Sequence, residues 1–205
     1  MIESRSDYEF YLEADRLALR MSYRRPRMFG DEIWKYERLL RCVAWRTNAG
    51  SRLPLGRLRL LVTRWRLHEL GIRLGFSIGP NTFGPGLSIN HIGTIVVNPQ
   101  AQVGANCSLH VCVNIGAQAG TTDVPVIGNN VYIGPGAKVF GDIVIGDDTA
   151  IGANAVVNRS FPEGHCTLGG VPARVISPKT SEGLLTRGSE LAMKKGGYIS
   201  SANRS

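Results

Sequence analysis

No apolar run in the chain approaches the roughly 18 residues that a membrane-spanning helix needs, so a transmembrane class is excluded and a soluble class is expected. The opening residues MIESRSDYEF carry acids and no apolar h-region, so no signal peptide is expected, and the cytoplasm is the expected compartment. Cysteine is sparse. Cys42, Cys107, Cys112 and Cys166 show no CxxC spacing, which points to free, mostly buried thiols rather than disulfides or a zinc site. Aromatic residues are only 7% of the total, and no Gly-X-Y period supports a collagen. Against these absences stand 25 glycines in 205 residues, enough to imply many repeated turns in one domain or one repeat array with a small cap.

The net charge of +8 is unevenly placed. Residues 1–73 hold 16 Lys/Arg against 9 Asp/Glu (+7), residues 74–173 hold 2 against 5 (−3), and residues 174–205 hold 6 against 2 (+4). The basicity belongs to the two ends. An acidic middle without a recognised motif argues against nucleic acid as a partner.

The first segment has helical periodicity. Phe10, Ala14, Leu17 and Met21 form one stripe over residues 7–21, and Ile33, Tyr36, Leu40 and Val43 form another over residues 31–47. The breaker YRRPRMFGD separates them, and Asn48, Gly50 and Pro54 are expected to end the second helix. A third helix is predicted over residues 55–70, stopping at Gly71, with Leu58, Leu61, Val62 and Trp65 inward. Residues 1–71 are thus expected to form an α-helical cap.

From Ile72 the period changes to six. Val97, Val103, Leu109, Ile115, Thr121, Ile127, Ile133, Val139, Ile145, Ile151 and Val157 form one column in which only Thr121 is not aliphatic. The next position is mostly Gly or Asn, suited to turns, and the fifth is mostly small or apolar. Such a unit makes sense as a short strand plus a corner of a parallel β-helix, with three units closing a triangular coil. The fold class expected is therefore mainly β, a hexapeptide-repeat β-helix over residues 72–176, with the helical cap before it. Residues 177–205 are expected to be a polar, partly mobile tail with a short helix near 184–193. Upstream, extending the spacing of Ile72 and Ile78 misses Val97 by one, so a phase break lies within residues 84–96.

The repeat sorts the four histidines. His68 on the third helix and His165 in a turn are weak candidates for chemistry. His91 sits at the phase break, and His110 occupies an outward column usually held by Gly. Nineteen residues apart, they are expected on neighbouring coils of one prism edge.

The hexapeptide column resembles the left-handed β-helix acyltransferases. The stretch GPGLSINHIGTIVVNPQAQVGANCSLHVCVNIG is similar to the active-site coils of serine O-acetyltransferase-like members. PVIGNNVYIGPGAKVFGDIVIGDDTAIGANAVVNRSFPEG and GGVPARVI are similar to the cofactor-binding and closing coils. The resemblance covers residues 72–176 and implies direct acetyl transfer from acetyl-CoA to a hydroxyl, without a metal. It makes His91 the general base, a task suited to imidazole, whose ordinary pKa is near 6.5. Asn90 stands where the family has an Asp that orients the ring.

Where serine enzymes carry a His-Pro, this chain has TTDVP, with Val124 in place of the histidine and Asp123 before it. His110 and Asp123 are accordingly taken as acceptor-binding candidates. Gly134, Pro135 and Ala153 match positions lining the pantetheine groove, and Asn158, Arg159 and Arg174 lie near the nucleotide end. The short head and the lost histidine favour a saccharide hydroxyl as acceptor, as in polysaccharide biosynthesis, and the tail has Asn203, Arg204 and Ser205 where the serine enzymes have the Ile that docks a sulfhydrylase partner. L-Serine is the alternative. The family also implies a homotrimer with sites between subunits.

Two readings of other classes remain. A γ-type carbonic anhydrase needs three zinc-binding histidines, of which only His91 and His110 are suitably placed. A β-helix binding protein is the other, because RLRLLVTRWRLHEL, with Arg57, Arg59, Arg64 and Arg66, could meet an anionic membrane or polymer as a peripheral contact.

Overall fold

The structure is a computed structural model, and it describes residues 1–50 and 54–196. Three helices come first: α1 (Arg5–Ala18), α2 (Glu32–Asn48) and α3 (Pro54–Leu74). Ser4 and Asp7 form a reciprocal capping box at the start of α1, which satisfies its first free amides. Pro54 opens α3 instead of closing α2, as proline's fixed φ and missing N–H allow.

Short strands follow: β1 (Phe76–Ser77), β2 (Ser88–Ile89), β3 (Ile95–Val97), β4 (Gln102–Val103), β5 (Ser108–Leu109), β6 (Asn114–Gly116) and β7 (Val126–Ile127). The later coils add β8 (Tyr132–Ile133), β9 (Lys138–Phe140), β10 (Val144–Ile145), β11 (Ala150–Ile151), β12 (Val156–Val157), β13 (Thr167–Gly169) and β14 (Arg174–Ser177). They stack as three sheets, β1-β3-β6-β9-β12, β4-β7-β10 and β2-β5-β8-β11-β13-β14, parallel throughout except for the closing pair β13–β14. This is a left-handed parallel β-helix with a helical cap, mainly β as the hexad period predicts. Every aliphatic of the inward column is buried, from Val97 to Val157.

Thr121 is the informative exception. Val103 pairs with Ile127, twenty-four residues on, whereas Ile127 pairs with Ile145, eighteen on. Six residues therefore leave the prism between β6 and β7, and Thr121, Thr122 and Asp123 are exposed on that loop. The phase break near His91 is also local: inward Ile89 and inward Val97 are eight residues apart in place of six, so two extra residues lie in the corner that carries His91.

The Gly/Asn column has a different cause from turn conformation. A Cβ on Gly134 would lie 2.9 Å from both Ile151 O and Ala153 N of the next coil, so this glycine permits stacking, with φ in the ordinary negative range. The left-handed residues fall two positions later, at Asn106, Cys112, Asn130, Gly136, Asp148 and Asn154. Three of them form a ladder: Asn106 Nδ2 donates to Asn130 Oδ1 at 2.9 Å, and Asn130 Nδ2 donates to Asp148 Oδ1 at 3.0 Å.

That ladder explains why residues 177–196 pack against the body and do not hang from it as a tail. Arg187 bonds Asp148 at 2.7 Å, the Ser189 amide donates to Asn106 Oδ1 at 2.9 Å, and Ser181 is buried with its hydroxyl on Asn130 O. The helix expected near 184–193 is α4 (Gly188–Gly196), laid on α1 where Ala192 meets Phe10 and Ala14. The final residues, including Asn203, Arg204 and Ser205, lie outside the described residues.

Two expectations for α3 are overturned. It runs on to Leu74, so Ile72 belongs to the helix and the first coil starts at Phe76. Its inward face is Thr63, Leu67, Gly71 and Leu74, with Leu60 and Leu70 partly buried, whereas Leu58, Leu61, Val62 and Trp65 are exposed. The helix is apolar on two faces, so spacing alone could not say which one packs.

All four cysteines are free. Cys107 and Cys166 are buried, Cys42 is half-buried, and Cys112 is exposed at a corner, contrary to its expected burial.

Candidate active site

The corner between the third and first sheets recurs after β2, β5, β8 and β11. It stacks residues 90–94, 110–113, 134–137 and 152–155 on one prism edge. His91 and His110 meet there as the nineteen-residue spacing predicts, with ring centroids 5.6 Å apart. Tyr132 continues the series, 5.0 Å from the His110 ring. The sequence reading passed over Tyr132, although it occupies the position before inward Ile133 and pairs with Ser108 one coil below.

Burial, aided by the neighbouring His91, lowers the pKa of His110. The group is thereby kept neutral at pH 7, able to give or take one hydrogen bond at a hydroxyl. His91 is exposed. Asn90 does not orient it. The Asn90 amide donates to Ser108 Oγ at 2.9 Å and Leu109 O at 3.2 Å, which ties the corner to the next coil.

A cavity of about 720 Å³ opens beside these residues. Asn90, Ile92, His110 and Tyr132 form one wall, Ile33 and Trp34 of α2 another, and Leu184–Thr186 of the C-terminal segment a third. The cap and the tail therefore both shape it. At its margin the Asp31 carboxylate accepts from Tyr23 Oη at 2.8 Å and from the Arg27 amide at 2.9 Å, and the Arg27 contacts hold its pKa well below the usual range.

The strand that delivers His91 is gripped from the cap by three buried charged residues that sequence reasoning did not single out. Asp15 accepts from the Gly86 and Leu87 amides at 2.9 and 3.0 Å, and Arg41 donates to Phe83 O and Gly84 O at 2.6 and 2.7 Å. Asp15 and Arg41 also bond each other at 2.7 Å, both essentially without solvent contact. Glu37 Oε1 accepts from the Ile89 amide at 2.9 Å, two residues before His91. The first coil has no preceding coil to pair with, so these side chains satisfy its backbone instead. Spacing gives no signal for them beyond acids and a base on otherwise apolar helix faces.

Burial, reinforced by the Asp15 carboxylate, raises the Glu37 pKa well above the ordinary value. A raised folded-state pKa means that the proton binds more tightly in the fold; the resulting stability is complete below the unfolded value of about 4.3 and is lost as pH rises through the folded value. Glu37→Gln, which mimics the neutral acid, is expected to match the wild type in urea unfolding at about pH 4 and to be the more stable of the two at about pH 8. Equal pH dependence in both proteins would overturn this reading.

The other sequence candidates divide by edge. Gly134, Pro135 and Ala153 share the His91 edge, and Arg174 follows the closing turn whose Gly170 and Ala173 pair with β12 at that same edge. Asp123, Asn158 and Arg159 lie on the next edge, between the first and second sheets, so one chain does not bring them to His91. Arg159 there stacks over Phe161, its guanidinium carbon 5.2 Å from the ring centroid. No cluster of three or more His, Cys, Asp or Glu suited to a metal occurs among the described residues.

Fold and site together define a hexapeptide-repeat protein of the left-handed β-helix class with a histidine pair on one edge. Residues 125–159 match the family described as bacterial transferase hexapeptide (six repeats). The chain is 38% identical over 130 residues to a serine acetyltransferase of Synechococcus elongatus, covering 62% of this chain and 50% of that protein. It is 37% identical over 138 residues to one of Mycobacterium tuberculosis, covering 66% and 57%. The chain thus spans about half the length of the curated relatives it matches. Among solved structures, the serine acetyltransferase of Brucella abortus superposes with a TM-score of 0.67 at 26% identity, over 88% of this chain and 73% of that one. The same organism's enzyme in complex with coenzyme A gives 0.68 at 26% identity, over 87% and 71%. In sequence and fold the chain resembles a serine O-acetyltransferase-like hexapeptide-repeat acyltransferase.

Proposed function

We propose that the protein is an acetyl-CoA-dependent O-acetyltransferase with His91 as general base. The observation that carries this is the His91–His110 pair beside a cavity, on the same edge as a strip of low side chains. Pro135 and Ala153 are exposed there and Gly152 is half-exposed. Such a strip fits a long thin pantetheine arm, and the coenzyme A complex of the Brucella abortus relative supports the same ligand here. Gly134 contributes through coil stacking, since its missing Cβ faces the next coil and not the groove.

Acetyl-CoA supplies an activated acyl group as a thioester. His91 takes the proton from the acceptor hydroxyl as its oxygen attacks the thioester carbon, and returns it to the thiol as the carbon–sulfur bond breaks. His110, neutral and next to it, holds the hydroxyl. Arg174 is assigned to the phosphates.

For the acceptor, the names of the relatives favour L-serine, and with it cysteine biosynthesis, over the saccharide that the lost histidine at Val124 suggests. A saccharide hydroxyl is the second reading. It is favoured by a cavity of about 720 Å³, in the range of sites for ligands much larger than an amino acid.

A homotrimer would bring the Asp123, Asn158 and Arg159 edge of one subunit to the His91 edge of its neighbour. Val126 and Val144, paired side by side and exposed on the β4-β7-β10 sheet, are suited to that contact. The test is release of CoA thiol from acetyl-CoA with L-serine and, separately, with a panel of sugars and nucleotide sugars. Turnover with L-serine supports the first acceptor and turnover with a sugar alone supports the second. Absence of both turnover and CoA binding overturns the transferase.

A further inference from the structure

We infer that the outer face of α3 is a docking surface for an anionic phospholipid membrane. The observation is the reversal in how this helix packs. Leu55, Leu58, Leu61, Val62, Trp65 and Ile72 are 43–65% exposed, and at about 100° per residue they make one stripe opposite the Thr63–Leu67–Leu74 face that packs on the cap. Trp65, 62% exposed, sits at the middle of that stripe.

The charges are arranged around it. Helical rotation places Arg57 and Arg64 along one border of the stripe and Arg59, Arg66 and Arg73 along the other. Glu69 is the only acid in α3 and falls within the stripe. An apolar band bordered on both sides by arginines is the geometry of a helix lying in the plane of an interface. The band enters the acyl boundary while long basic side chains reach the headgroups.

A second feature lies near one border of the stripe. The loop between α1 and α2 exposes Met28 and Phe29, at 84% and 86%, beside Arg24, Arg25 and Arg27. Pro26 of this loop and Arg66 of α3 border one shallow groove. Two exposed apolar features set among arginines thus occur on the head that carries +7, while the β-helix carries −3. The net positive head and this pairing of arginine with exposed apolar residues select an anionic lipid surface over a neutral one.

The experiment is flotation of the full chain with vesicles of phosphatidylglycerol and phosphatidylcholine, compared with phosphatidylcholine alone. The Leu58→Glu/Trp65→Glu double variant is run in parallel, with the oligomeric mass of both proteins measured by light scattering. Both residues are exposed, so the variant is expected to keep its far-UV spectrum and mass. Flotation with the anionic vesicles, weakened by salt and reduced at least about tenfold in the variant, supports the inference. It is overturned by absence of flotation, by equal flotation with phosphatidylcholine alone, or by flotation that survives the substitutions. A fall in oligomeric mass in the variant also overturns it, since the stripe then belongs to a second copy of the chain.

Discussion

His91→Ala is expected to lower acetyl transfer by about 10²- to 10⁴-fold, the usual weight of a positioned general base. The argument is geometric. His91 is exposed on a corner lengthened by two residues, its ring 5.6 Å from that of His110, which lines the cavity together with Asn90 and Ile92 on either side of His91 in sequence. An acceptor hydroxyl is far too weak an acid to lose its proton to water at the rate a thioester exchange requires, so removing the imidazole leaves only binding and orientation. His110→Asn separates the two rings. It keeps a neutral hydrogen-bonding group and should raise KM for the acceptor more than it lowers kcat, because His110 is assigned to hold and not to deprotonate. Thiol release measured over a range of acceptor concentrations reads both effects. A His91→Ala protein that retains more than about a tenth of the activity would remove the histidine from the chemistry.

What the sequence made legible was what repeats. One aliphatic every six residues is enforced by a narrow prism interior, and each coil imposes the same demand, so the column stood out and the structure buries it. The histidine pair was legible for the same reason, since a known coil length converts a separation into a position. What escaped were one-off arrangements. The six-residue loop at Thr121 keeps the hexad count while leaving the prism, and counting cannot detect an insertion equal to the period. The inner face of α3 escaped because Leu60, Leu67, Leu70 and Leu74 compete with Leu58, Leu61, Val62 and Trp65 on equal terms, and only the position of α2 decides between them.

The glycines at position two were visible, but their cause was not. At Gly134 the limit comes from the backbone of the next coil, a contact between residues seventeen to nineteen apart. Asn90 shows the same limit at the site: adjacent to His91 in sequence, it is spent on Ser108 and Leu109 one coil away. The cap residues Asp15, Glu37 and Arg41 read as ordinary helix charges because their partners are backbone groups of the first coil, which carry no side-chain signature.

Arg41→Met is expected to destabilise the fold by about 3–5 kcal/mol, the cost of removing one member of a buried ion pair. The substitution takes the counter-charge from Asp15 and the donors from two carbonyls at once. Asp15 would keep its charge in a site with 2% side-chain exposure, and Phe83 O and Gly84 O would lose their donors. The loss should be cooperative with Asp15. A double Asp15→Leu/Arg41→Met protein removes the stranded carboxylate and is expected to be less unstable than the sum of the single variants, which a double-mutant cycle by urea unfolding measures directly. The Gly86 and Leu87 amides still lose their acceptor in that protein, so recovery should be partial. Because the affected segment, Phe83 to Leu87, ends three residues before Asn90, the single variant should also lose activity at denaturant concentrations well below its unfolding midpoint. Additive single effects, or a loss below about 1 kcal/mol, would mean that the cap merely covers the first coil and does not set the position of His91.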